Sequence, residues 1–153
     1  MDTNWLLVGL GNEFRRDDGL GPFVVRHSIF QSFENLFILE NEGDCTQIFE
    51  TERICRQILI VDAVRSGRRP GTVFHLEIPG NLDYPEVFSY STHGIGLLEC
   101  IAIAKVTGAF PDRLVFLGVE GKDFGYGQGL CMEVRKGAEE VLATIVRILG
   151  GTY

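Results

Sequence analysis

The sequence predicts an α/β fold, a three-layer sandwich in which a mostly parallel, twisted sheet is flanked by helices on both faces. Short, continuous apolar runs predict strands that are buried on both sides. The clearest runs are Trp5–Gly9, Ile58–Ala63 and Arg113–Val119. Segments with apolar residues at helical spacing lie between them. This alternation of strands and helices is typical of a parallel sheet covered on both faces.

The other elements follow from the same periodicities and from glycine and proline positions. We expect His27 in the middle of the first helix and His75 within a strand. In chain order the remaining predicted elements are helix Gly19–Gln31, strand Leu36–Leu39, helix Thr46–Cys55, turn Arg65–Gly71, strand Thr72–Glu77, helix Gly94–Thr107, glycine-rich loop Phe124–Gly129 and helix Met132–Leu149.

Length and composition narrow the class of protein. A chain of 153 residues fits one domain, residues 1–153, with a core that needs no disulfide or structural metal. Its net charge of −7 would repel phosphate backbones, so we expect no nucleic-acid partner. Because no apolar run approaches the roughly 20 residues that span a bilayer, we expect no membrane insertion.

The four cysteines are widely separated and form no C-x-x-C pair, which argues against a zinc or iron–sulfur site. Nothing at the N-terminus resembles a signal peptide. We therefore expect a cytoplasmic protein whose cysteines are buried thiols rather than disulfides.

Chemistry in open α/β sheets concentrates on loops beyond the carboxyl ends of the strands. Asp17 and Asp18 follow the first strand, Asp62 lies at the end of the central apolar strand, and His93 precedes a helix. Carboxylate and imidazole ligands without thiolates suit a borderline divalent metal such as nickel or zinc. Three protein ligands leave coordination positions open for water or a partner's group.

Each candidate ligand also has a structural interpretation. Asp17 or Asp18 is expected to cap the first helix, which leaves the other available as a ligand. His93 alone would be read as a structural histidine, but beside two strand-end carboxylates it is predicted to be a ligand. Asp62 is the hardest to explain structurally, because an ionised carboxylate in an apolar strand is costly without a partner.

Other enzyme chemistries fit less well. The glycines after the first strand do not have the G-x-G-x-x-G spacing of a dinucleotide site. Glu40 could bind a ribose, but the bulky insert Glu13–Arg16 would obstruct a pyrophosphate. No G-x-S-x-G elbow is present, and no cysteine is paired with a histidine in sequence. Arg65, Arg68 and Arg69 are interpreted as solvated loop charges, with steering of an acidic peptide as the alternative.

Several motifs, in this order, resemble the nickel-iron hydrogenase maturation endopeptidases over nearly the whole chain. They are Val8–Asn12 followed by Arg16–Gly21, Leu59–Ala63 followed by Pro70–Thr72, Ser91–Gly94 with Leu97, and Gly118–Gly121. The resemblance implies that Asp18, Asp62 and His93 are the metal ligands. Many members carry Glu where this chain has Asp18. The family's acidic position after the second strand matches either Glu40 or Glu42, which become candidates for substrate binding.

The resemblance implies an endopeptidase that removes a C-terminal extension from the precursor of a hydrogenase large subunit. Nickel would come from the substrate and act as the recognition element, and zinc or cadmium could substitute in vitro. A cytoplasmic monomer is the simplest expectation. No catalytic nucleophile or general base can be assigned from the sequence.

Two other functions share part of this sequence pattern. Peptidyl-tRNA hydrolases have a first strand like Leu7–Asn12, but the proline and the Thr-Arg-His-Asn run that follow it in that family are missing here. The acidic composition also fits tRNA poorly. A non-catalytic, nickel-sensing assembly chaperone would use the same three ligands, so the motifs leave that alternative open.

Overall fold

A computed structural model of the chain describes residues 4–42, 46–50, 55–78 and 97–151. Within these ranges five strands form one sheet in the order β2-β1-β3-β5-β4. β1, β2, β3 and β5 run parallel, and β4 pairs antiparallel with β5. The strands are β1 (Trp5–Leu10), β2 (Leu36–Asn41), β3 (Gln57–Val64), β4 (Val73–Ile78) and β5 (Arg113–Glu120).

Helices cover both faces of this sheet. The helices are α1 (Leu20–Val25), α2 (Thr46–Glu50), α3 (Leu97–Thr107) and α4 (Met132–Ile148), with short 3-10 turns at Arg16–Gly19 and Ser28–Ser32. Apolar side chains of α2 and α3 form one core with one face of the sheet. Those of α1 and α4 form a second core with the other face. The predicted α/β sandwich is therefore confirmed.

The central strands are the ones that the sequence predicts most clearly. β1 is buried throughout, and β3 and β5 are buried at every residue after the first. A strand between two helical layers needs apolar side chains on both faces, which explains the continuous runs. β3 and β5 each end one residue later than the apolar run suggests, at Val64 and Glu120.

The first helix is shorter than predicted. α1 ends at Val25, and His27 has an extended backbone with φ of −64° and ψ of 135°. Its Nδ1 accepts a hydrogen bond of 3.2 Å from the amide of Ile29 and so caps the 3-10 turn that follows. The prediction of one helix over Gly19–Gln31, with His27 in its middle, is wrong because this side chain competes for the backbone.

The other helices agree with the prediction where the structure describes them. α2 is described over Thr46–Glu50, and residues 51–54 of the predicted helix lie outside the described ranges. Cys55, the predicted helix end, has a non-helical backbone shortly before β3. α3 is described from Leu97, and residues 94–96 of the predicted helix lie outside the described ranges. α4 ends one residue before the predicted end.

The cysteines depart from the expectation of reduced thiols. Cys100, on the buried side of α3, is disulfide-bonded. Cys55 and Cys131 carry thiols, and Cys45 lies outside the described residues. Widely spaced positions in sequence gave no indication of this bond, because pairing depends on the distance between the cysteines in the fold. In the described ranges no helix is both long enough and apolar enough to cross a membrane.

Candidate metal-recognition site

The loop after β1 folds back to place Asp18 at the carboxyl edge of the sheet. Asp18 lies in the 3-10 turn Arg16–Gly19 and is only 5% exposed. Its Oδ2 accepts a hydrogen bond of 2.8 Å from the amide of Asn12. Gly11 has φ of 127°, and a Cβ there would collide with the carbonyl oxygen of Asp18. Glycine at this position thus permits the close return that buries Asp18.

Asp62 lies in β3 and is 1% exposed. Ile60 and Val64, two residues to either side of it, belong to the core formed with α2 and α3. Because side chains alternate along a strand, Asp62 faces the same side of the sheet as these neighbours. The 3-10 turn that carries Asp18 packs against β3. The structure therefore brings the segments of the two predicted carboxylate ligands together.

His93, the third predicted ligand, lies outside the described residues. In sequence it precedes α3, which packs on the sheet face that Asp62 shares. Within the residues that the structure describes, no group of three or more His, Cys, Asp or Glu side chains forms a metal cluster. The ligand set Asp18, Asp62 and His93 stays a prediction. Its two described members provide the oxygen donors that, with an imidazole, suit nickel or zinc.

Asp17 has a structural role that differs from the expected helix cap. Neither short helix of this region has a side-chain cap, and Asp17 is fully buried. Its Oδ2 accepts hydrogen bonds of 2.8 Å from the amides of Lys122 and Asp123. Its Oδ1 accepts a hydrogen bond of 2.8 Å from the amide of Cys131. The prediction that one of the acidic pair caps the first helix is wrong. Asp17 instead joins this loop to the segment between β5 and α4.

Glu120 is a buried carboxylate whose role sequence reasoning missed. It ends β5, and its Oε1 accepts from the amides of Ser66 and Gly67 at 2.8 and 2.9 Å. Its Oε2 accepts from the hydroxyl of Ser66 at 2.7 Å. Glu120 thus fixes the turn that follows Asp62. An acidic residue at the end of an apolar strand, the same signal that marks Asp62, could have identified it.

The arginines of that turn are partly held by aromatic rings. The guanidinium of Arg65 lies 5.2 Å from the ring centre of Phe124, and that of Arg68 lies 5.2 Å from the ring centre of Phe74. These contacts have cation–π geometry. Arg65, Arg68 and Arg69 are all exposed, as expected of solvated loop charges, and two of them also lie over an aromatic ring.

Glu40 takes part in a surface ion cluster at the end of β2. Arg26 binds Glu40 at 2.8 Å and Glu13 at 2.7 Å. The hydrogen bond from Arg26 holds the pKa of Glu13 below its usual range. Glu42, the other candidate for the acidic position, is exposed just beyond β2. The structure places both carboxylates near the end of β2 and leaves their role in substrate binding a prediction.

Both the sequence and the fold are similar to those of known proteins. The family model described as hydrogenase maturation protease matches residues 33–148. The hydrogenase expression/formation protein HupD of Rhizobium leguminosarum bv. viciae is 26% identical over 147 residues, which cover 94% of this chain and 73% of that protein. HoxM of Cupriavidus necator is 23% identical over 150 residues, covering 94% of this chain and 74% of its own length.

Solved structures share the fold. The hydrogenase maturating endopeptidase HybD from E. coli superposes with a TM-score of 0.78 at 23% identity, over 96% of this chain and 92% of that one. The nickel-iron hydrogenase maturation protease HycI from Thermococcus kodakarensis KOD1 has a TM-score of 0.73 at 21% identity, over 97% and 94% of the two chains. The family match also sets aside a peptidyl-tRNA hydrolase. This chain belongs to the hydrogenase maturation protease family and is a peptidase.

Proposed function

We propose that this peptidase removes a C-terminal extension from the precursor of a nickel-iron hydrogenase large subunit after nickel has been inserted. The nickel belongs to the substrate, and Asp18, Asp62 and His93 bind it as a recognition element. The enzyme acts as a monomer in the cytoplasm.

The main support is the burial of two carboxylates on neighbouring segments at one sheet edge. Removing an ionised carboxylate from water is costly unless a charge, hydrogen bonds or a metal compensates it. Asp62 lies among apolar side chains of β3, and Asp18 lies on the turn packed against that strand. Oxygen donors from these two positions, with one imidazole, suit transient contact with a borderline metal better than storage, which favours more or softer ligands.

The rest of this edge is suited to holding a partner in a fixed orientation. The loops after β1, β3 and β5 all lie there, and Asp17 and Glu120 bind their backbone amides. Docking on the nickel would place the tail's scissile bond next to these loops. Positioning of this kind contributes to catalysis by reducing the entropy lost on the way to the transition state.

The direct test compares two forms of one precursor. The protein is incubated with the nickel-loaded and the nickel-free large subunit, and the precursor mass is followed by mass spectrometry. Loss of a C-terminal peptide from the nickel-loaded form alone supports the proposal. Equal cleavage of both forms would contradict recognition of nickel. Binding of the loaded form without cleavage would indicate the nickel-sensing chaperone instead.

A further inference from the structure

The turn that carries Asp18 is tied along its length to the loop between β5 and α4. The amide of Arg16 donates to the carbonyl of Gly127 at 2.9 Å, and the amide of Gly127 donates to the carbonyl of Phe14 at 2.9 Å. The amide of Asp17 donates to the carbonyl of Asp123 at 2.9 Å. Two loops that are far apart in sequence therefore behave as one structural unit beside the sheet edge.

The carboxylate of Asp17 is the centre of this unit. It is fully buried, and three amides from the other loop converge on its two oxygens. Hydrogen bonds to an ionised acceptor are about twice as strong as those between neutral groups. Asp17 is thus the strongest link between the Asp18 turn and the loop at residues 121–131.

Backbone strain beside Asp17 indicates that contacts with the facing loop hold this turn in place. Arg16 has φ of 49°, a left-handed conformation that non-glycine residues rarely adopt. Its Nε also lies 3.5 Å from Oδ2 of Asp123 on the facing loop. A strained residue persists only where its surroundings hold it, and here the holding groups belong to the other loop.

We propose that Asp17 is a positioning residue, which holds the 3-10 turn through the 121–131 loop so that the neighbouring carboxylate of Asp18 is fixed in its metal-binding direction. This inference rests on the proposed function, since it assumes that Asp18 contacts the metal. The amide of Asn12 donates a hydrogen bond of 2.8 Å to the Asp18 carboxylate and so orients it directly. Asp17 fixes the backbone of the same turn from the opposite side, as groups that bind and orient metal ligands do.

Asparagine at position 17 tests the role with little change in shape. An amide has one acceptor oxygen, so either orientation turns its NH2 group toward at least one of the three donors. Asp112→Asn is the control, because it makes the same change in a carboxylate that accepts a hydrogen bond of 2.9 Å from Arg56. Asp112 lies directly before β5, at the opposite end of the sheet from the Asp18 turn.

The first measurement is the affinity of the isolated protein for Ni²⁺ alone, by isothermal titration calorimetry, with urea unfolding in parallel. We expect Asp17→Asn to weaken Ni²⁺ binding about 10- to 100-fold, the range for groups that hold a metal ligand in place, and Asp112→Asn to stay within about twofold. An equal loss of Ni²⁺ affinity in both variants would contradict the inference, because it would indicate that Asp17 has only a general structural role. Unchanged affinity in folded Asp17→Asn would also overturn the inference.

A second measurement uses the unmodified protein, so it does not depend on whether the variant folds. Coupling between two sites is reciprocal, so a metal that needs the Asp17 link must also strengthen it. Saturating Ni²⁺ should slow hydrogen exchange at the amides of Lys122, Asp123 and Cys131 and leave that of Asp112, at the opposite end of the sheet, unchanged. Unchanged exchange at the first three amides would contradict the inference.

The proposed function fails in a different way. If the unmodified protein does not bind Ni²⁺, or if Asp18→Asn binds it with full affinity, metal recognition by Asp18 is wrong. If Asp18→Asn loses affinity and Asp17→Asn keeps it, only the positioning role is wrong.

Discussion

Asp62 and Gly118 are direct partners in the parallel pairing of β3 and β5. Paired residues of parallel strands face the same side of the sheet. The position next to the buried carboxylate of Asp62 is therefore occupied by a glycine, which has no side chain. A Cβ at Gly118 would lie 2.7 Å from Cγ2 of Val64 and 2.8 Å from the ring of Phe116. The Gly118–Gly121 motif thus has a steric basis at the level of the candidate metal site.

Gly118→Ala should destabilise the protein by overpacking this region. We expect the free energy of unfolding to fall by about 1–3 kcal/mol, measured by urea denaturation, because Val64 and Phe116 must shift to admit the methyl group. Gly125→Ala is the control, since its Cβ would meet only the side chain of Asp123, at 3.1 Å. Equal stability of the two variants would contradict the close packing around Gly118.

Cys131 should be an unreactive thiol that plays no part in cleavage. Burial raises its pKa to about 11. At pH 8 this leaves very little thiolate, and the greater intrinsic nucleophilicity of a high-pKa thiolate restores only part of the loss. We expect alkylation by iodoacetamide about tenfold slower than for glutathione at pH 8, and full peptidase activity in Cys131→Ser. Loss of activity in that variant would indicate that Cys131 takes part in cleavage as a nucleophile.

The ion cluster around Arg26 should be visible in a titration of Glu13. Its hydrogen bond with Arg26 lowers the pKa of Glu13 from 4.5. A lowered pKa in the folded state gives stability that is present above pH 4.5 and is lost as the pH falls through the folded pKa. In Arg26→Gln we expect the pKa of Glu13, followed by NMR, to return toward its ordinary value. Arg113→Gln, which breaks the separate pair with Glu77, should leave it unchanged.

Glu40 is the better candidate for substrate contact at the end of β2. Arg26 holds its carboxylate in a fixed direction, whereas Glu42 lies beyond the last residue of the strand. We expect Glu40→Gln to raise KM for the precursor about three- to tenfold, as for one lost hydrogen bond, with kcat little changed. Glu42→Gln should keep the original KM. The reverse pattern would assign the family's acidic position to Glu42.

The sequence predicted the fold better than it predicted local side-chain roles. The runs at β1, β3 and β5 are apolar because both faces are buried, so their pattern is strong. The end of α1 depends on the local hydrogen bond that the amide of Ile29 donates to Nδ1 of His27, which periodicity does not reveal.

The same contrast holds at the candidate site. Asp62 could be predicted because a carboxylate in an apolar strand is costly. The choice between Asp17 and Asp18 could not be made from local pattern alone, since the partners of Asp17 lie at Lys122, Asp123 and Cys131. Long-range contacts of this kind depend on how the loops meet, and the resemblance alone distinguished the two residues.

The most direct test of metal recognition is the rate at which the tail is released from nickel-loaded precursor by Asp62→Asn, compared with Asp112→Asn. Asparagine keeps the shape of Asp62 but removes the charge that a metal ligand needs. We predict that release by Asp62→Asn falls below about one hundredth of the original rate, since losing a ligand should cost at least as much as losing a group that holds a ligand in place. Asp112→Asn, the same change at the opposite end of the sheet, should keep most of the original rate. Release by Asp62→Asn at the original rate would contradict the assignment of Asp62 as a reader of the substrate's nickel.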